Sequence, residues 1–107
     1  MKDIESPGSL AIKLTELFPA FAAELKDEEI STYHQVILHL TPVITNYLQQ
    51  LPPRRTKEFC ELVNAMVSAG GEQENAVSTC LLEHASQIKV AKIIRPYLST
   101  AAKHELR

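Results

Sequence analysis

Tyr33-His34-Gln35-Val36-Ile37-Leu38-His39-Leu40-Thr41-Pro42-Val43-Ile44-Thr45-Asn46-Tyr47-Leu48-Gln49-Gln50-Leu51 is the stretch on which the fold turns. Tyr33, Val36, Ile37, Leu40, Ile44, Tyr47, Leu48 and Leu51 recur mainly in steps of three and four. That spacing lines one face of an α-helix. Pro42 lies in the middle, where a proline removes one hydrogen-bond donor and crowds the preceding turn. Because the stripe keeps phase across Pro42, the segment reads as one kinked helix beginning near Ser31 or Thr32 rather than as two helices.

Toward the C-terminus, Leu51-Pro52-Pro53 breaks the pattern, and Pro53 suits the first turn of a following helix. Phe59, Leu62, Val63, Met66 and Val67 form that helix's apolar face, and Gly70-Gly71 stops it. A further helix is predicted from Glu72 to Ala85, with Val77, Cys80, Leu81, His84 and Ile88 as its stripe. Val90, Ile94, Tyr97 and Leu98 mark the next one, which Pro96 either kinks or ends near Arg95. Ser99 or Thr100 is placed to cap a last turn through Leu106. Toward the N-terminus, Leu10, Leu14, Leu17 and Phe18 recur at helical spacing behind a Ser9 cap, and Pro19 ends that run. Residues 1–8, with Ser6-Pro7-Gly8, read as a flexible arm. No sustained period-2 alternation and no Asn-Gly or Asp-Gly hairpin turn occurs. The expected fold is therefore all-α: a single-domain irregular bundle of five to six antiparallel helices over residues 9–107.

Composition narrows the function classes. The chain has 107 residues, 45% hydrophobic and 22% charged, with a net charge of −2. That is the balance of one folded globular domain, and no run approaches the roughly 20 apolar residues of a membrane span. The start, Met-Lys-Asp-Ile-Glu, puts acids where a signal peptide has a basic region followed by an apolar run. A cytoplasmic location and no membrane partner are expected. Two cysteines, Cys60 and Cys80, are too few for a disulfide scaffold and sit on apolar faces, as reduced core thiols do.

The search for chemistry returns little. His34, His39, His84 and His104 have no His-Glu-x-x-His or Glu-x-x-His spacing, and the cysteines form no Cys-x-x-Cys. A metal site would have to be assembled from Cys60, Cys80 and His84. Cys80 and His84 stand four apart, but beside Leu81 they read as a packed thiol and a hydrogen-bonded core histidine. Gly70-Gly71 lacks the frame of a phosphate loop. Tyr97 with Arg95 and Lys92 is the nearest approach to an aromatic-basic RNA surface. No cofactor, no metal and no enzymatic activity are expected.

Charge is uneven instead. Residues 1–29 carry seven acids and three lysines; residues 84–107 carry Lys89, Lys92, Arg95, Lys103 and Arg107 against Glu105 alone. Glu24, Asp27, Glu28 and Glu29 cluster, and Glu72, Glu74 and Glu83 belong to the predicted fourth helix. These seven are either a solvated surface or a patch that docks a basic protein such as a nuclease. The basic end leaves open a helical DNA-binding regulator using residues 87–107. Against it, the helix after Gly70-Gly71 opens Glu72-Gln73-Glu74, the wrong sign beside phosphates.

Phe18-Pro19-Ala20-Phe21, the long helix through Tyr47, and Glu74-Asn75-Ala76-Val77-Ser78-Thr79-Cys80-Leu81-Leu82-Glu83-His84 together carry a likeness. Over roughly residues 10–107 the chain resembles small all-helical bacterial proteins of undetermined biochemistry. Those proteins are suspected immunity proteins of polymorphic or contact-dependent toxin systems. The resemblance implies a non-enzymatic antitoxin that covers a cognate toxin's active site. It implies no catalytic residues. The basic C-terminal segment departs from the usual, more acidic pattern. The expected partner is a toxin domain, with nucleic acid disfavoured and self-association left open.

Overall fold

The long stripe does form one helix. In the computed structural model, which describes residues 5–26 and 29–107, α3 runs unbroken over Tyr33–Gln50 with Pro42 inside it. Pro42 is exposed, and Leu38, whose carbonyl has no amide to accept from at that position, is 59% exposed. The lost bond therefore falls on the solvent side of the helix, where an unpaired carbonyl costs least. Thr32 caps the start: its hydroxyl accepts from Gln35 N at 3.0 Å, and the Gln35 side chain accepts from Ser31 N at 2.9 Å. This is close to a capping box, with each side chain satisfying an amide the helix cannot.

Around α3 are α1 (Pro7–Leu17), α2 (Phe21–Glu24), α4 (Pro53–Ala69), α5 (Gly71–Cys80), α6 (Ala91–Ile94) and α7 (Thr100–Glu105). Short 3₁₀ turns occupy Leu82–His84 and Arg95–Tyr97. Among the described residues there is no strand, and no helix is long and apolar enough to cross a membrane. The fold is an all-α bundle, with four helices of ten residues or more and three short ones among the described residues. α1 and α5 each pack against both α3 and α4. Phe18, at the corner after α1, plugs the bundle: it stacks on Tyr47 of α3 at 5.3 Å and meets Phe59 of α4 edge-on at 5.6 Å.

Two boundaries differ from the sequence reading. α1 begins at Pro7, so Pro7 and Gly8 belong to the helix and not to an arm. The cap is Ser6, whose hydroxyl accepts from Ser9 N at 3.1 Å, and Pro7 fills the first position, where no donor is needed. Residues 1–4 of the expected arm lie outside the described residues.

α5 stops at Cys80 instead of Ala85. A continued helix would bond Ser86 N to Leu82 O. Here Leu82 O accepts from Arg107 N at 2.8 Å, and Ser86 N donates to Arg107 O at 2.7 Å. The Cys80 carbonyl likewise accepts from the Thr41 hydroxyl at 2.9 Å. Groups distant in sequence take the bonds that would have extended the helix.

The fifth helix leaves the α conformation after Ile94. Pro96 has no amide to donate, and α6 gives way to the Arg95–Tyr97 turn. Ser99 caps α7, its hydroxyl accepting from Ala102 N at 3.2 Å. Asn64 of α4 holds that junction from the side, donating to Tyr97 O at 3.1 Å and accepting from Ser99 N at 2.8 Å.

A candidate partner-binding surface

The cysteines are settled by burial. Cys60 is fully enclosed and its Sγ–H points at Ile94 O at 3.7 Å. Burial, then the charge of Glu61, pushes its thiol up to about 12. Burial also raises the Cys80 thiol. Both stay protonated at neutral pH, the opposite of what a nucleophile or metal ligand requires. His84, expected on the buried face, is exposed instead. The early end of α5 carries it off the Cys80 face, and its Nδ1 shares a 3.0 Å hydrogen bond with Gln87 Oε1. Among the described residues no three His, Cys, Asp or Glu side chains gather as metal ligands.

The acidic residues have separate addresses. Asp27 and Glu28 lie outside the described residues. Glu24 ends α2, exposed, and stands close enough to Tyr47 that its charge, after the larger effect of burial, raises the tyrosine's pKa. Glu29 is exposed before α3, its carbonyl accepting from Gln35 Nε2 at 2.8 Å. Tyr47 and Gln35 are twelve residues apart on one helix, about 18 Å at 1.5 Å per residue. Glu24 and Glu29 therefore sit toward opposite ends of α3. Glu72 and Glu74 occupy the first turn of α5, where the helix dipole favours a carboxylate. Glu74 pairs with Glu105 of α7. The hydrogen bond between the two carboxyl groups, then their like charge, then partial burial raise the pKa of Glu74. Glu83 is exposed in the turn after α5.

A feature that the periodicity passed over lies on α1. Ile12 is 64% exposed on the side of the helix away from the Leu10, Leu14 and Leu17 stripe. With Ala11, Thr15, Glu16, Ala22 and Leu25 it lines an open, mostly apolar groove of about 370 Å³ between α1 and α2. A smaller depression, bounded by Ser9, Ile12, Lys13 and Glu16, continues on the other side, so Ile12 forms the ridge between them. Glu16 walls both, and Glu24 directly precedes the lining residue Leu25. The sequence signal was an isoleucine at an off-stripe position, which alone is unremarkable on a protein surface.

At the other end of the chain, all five bases of residues 84–107 are exposed, and so are Arg95, Tyr97 and Lys92 of the aromatic-basic cluster. Gly70, with φ of 70°, links α4 directly to α5. Glu72 follows in the first turn, so an acid stands where a groove-reading helix would meet phosphate. Scans against protein-family models, curated proteins and solved structures each returned no match for this chain.

Proposed function

We propose that this chain is a non-enzymatic protein-binding domain of the immunity type, which neutralises a cognate toxin domain by covering its active site. The observation that carries the reading is the groove between α1 and α2. It offers an apolar anchor, Ile12, with Glu16 in its wall and the exposed Glu24 next in sequence to the lining residue Leu25. A few well-placed apolar contacts supply most of the affinity of such a surface, while complementary charge sets association rate and register. The partner that fits is a basic surface presenting an apolar side chain. A nuclease active site, cationic because it binds phosphates, has that character. The resemblance to suspected immunity proteins points the same way.

The test joins capture to inhibition. The tagged protein is used to recover its partner, the recovered domain is assayed for toxicity or nuclease activity, and the protein is added back. Ile12→Asp and the double variant Glu16→Lys/Glu24→Lys are expected to weaken inhibition at least 30-fold, the scale of a central anchor worth about 2 kcal/mol. Their circular dichroism is expected to match the parent. Undiminished inhibition by both variants removes this groove as the interface. A captured partner whose activity is unaffected removes the immunity reading itself.

A further inference from the structure

The basic C-terminal segment plays no part in that surface, yet one piece of it is built with evident constraint. Ser86, Lys89, Ala91 and Lys92 line a pocket of about 300 Å³. Two of these four residues are lysines and one is a serine, and among the described residues no acid lines the pocket. Lys89 has φ of 64°, the one non-glycine residue with positive φ among the described residues. Glycine takes this conformation freely, whereas a lysine there is strained.

The loop is pinned on every side. Val90 N and Ala91 N both donate to Ala85 O, at 2.9 and 3.2 Å, and Lys89 N donates to Ser86 O at 3.2 Å. Ser86 N is held by Arg107 O, and Ile88 O accepts from the Thr45 hydroxyl. Lys89's side chain is exposed, so packing does not explain why a lysine occupies a glycine-type position. What it does is place a second lysine in the lining of the pocket, with Lys92 and Ser86.

We infer that Ser86, Lys89 and Lys92 form an anion site that takes a phosphate group. The two ammonium groups neutralise the charge, and the hydroxyl donates to a third oxygen. The phosphate could belong to a small phosphorylated molecule or to a nucleic-acid backbone, and the same residues would hold either.

The test is a backbone-amide NMR titration with inorganic pyrophosphate at low salt, run on the parent, Lys89→Gly, Lys92→Ala and a control, Lys57→Ala. Lys57 is an exposed base on α4, outside the pocket. Saturable shifts centred on Ser86–Lys92 are expected, weakened roughly tenfold or more in each pocket variant and unchanged in the control. Glycine relieves the strain at position 89, so Lys89→Gly is expected to melt no lower than the parent, which separates lost binding from lost fold. A second titration with duplex DNA distinguishes the sources. Shifts at the same amides with a steep salt dependence assign the site to a nucleic-acid backbone, and their absence assigns it to a small phosphate. Absence of saturable shifts at Ser86–Lys92 with pyrophosphate overturns the site. So do shifts undiminished in both pocket variants, or weakening that the Lys57 control matches.

Discussion

Thr41→Val tests why α5 ends where it does. The Thr41 hydroxyl lies 2.8 Å from Ile37 O, one turn back in its own helix, and 2.9 Å from Cys80 O, the last carbonyl of α5. Valine keeps the branched shape and deletes the donor. Ile37 O retains the helical partner due to it from the residue-41 amide. Cys80 O does not, because His84 N, its partner in a longer helix, donates to Leu81 O at 3.1 Å instead. Leaving a buried carbonyl unpaired costs about 1–3 kcal/mol, and partial burial at Thr41 places the expected loss toward the lower end, about 1 kcal/mol. For a domain of this size that lowers Tm by roughly 4–8 °C. Urea unfolding followed by circular dichroism gives the free energy. Hydrogen exchange at the His84 amide reports the local bond. A neutral substitution with unchanged His84 protection would refute the reasoning: the Cys80 carbonyl would then not depend on the hydroxyl, and α5 would end at Cys80 without its help.

Three other perturbations follow from the structure. Glu74 holds its proton more tightly in the fold than in the unfolded chain, chiefly through its hydrogen bond with Glu105. Its contribution is thus fully present below the ordinary value of 4.5 and lost as pH rises through the raised one. Glu74→Gln, which keeps a donor toward Glu105 at every pH, should raise Tm at pH 7 and leave it unchanged at pH 4; a fall at pH 7 contradicts the pairing. Phe18→Leu removes one stacked and one edge-on ring contact and opens space at the corner, for a loss of about 2 kcal/mol by urea unfolding. A loss below about 0.5 kcal/mol would show that the rings do not hold the bundle. Iodoacetamide at pH 8 should leave Cys60 and Cys80 unmodified in the native protein and label both in denaturant, since both are buried and their thiols are raised; rapid native labelling would place a thiol at the surface.

What the sequence made legible, and what it hid, separate along one physical line. The stripe from Tyr33 to Leu48 was readable because a helix written by its own periodicity needs nothing from elsewhere, and Pro42 was harmless because the bond it removes faces water. The Ser99 cap and the Gly70 stop were readable for the same reason: their partners lie within a few residues. The end of α5 was not readable, because its terminating bonds come from Thr41 and Arg107, and no local window contains both. That error moved His84 from the core to the surface and with it the imagined Cys80–His84 pair.

The candidate sites obey the same division. The acidic residues were visible as letters, but their grouping depended on packing, which sets Glu24 and Glu29 toward opposite ends of α3 and joins Glu74 to Glu105. Ile12 gave a weaker signal still, since an apolar residue off the stripe gains meaning only when α2 folds beside it and makes a groove. Lys89 gave none, for its backbone angle is imposed by bonds from Ala85, Ser86 and Thr45. The two surfaces proposed to bind are thus the two least written in local pattern. A binding surface on a small bundle must stay out of the core-forming stripe, and so escapes the periodicity that reveals the core.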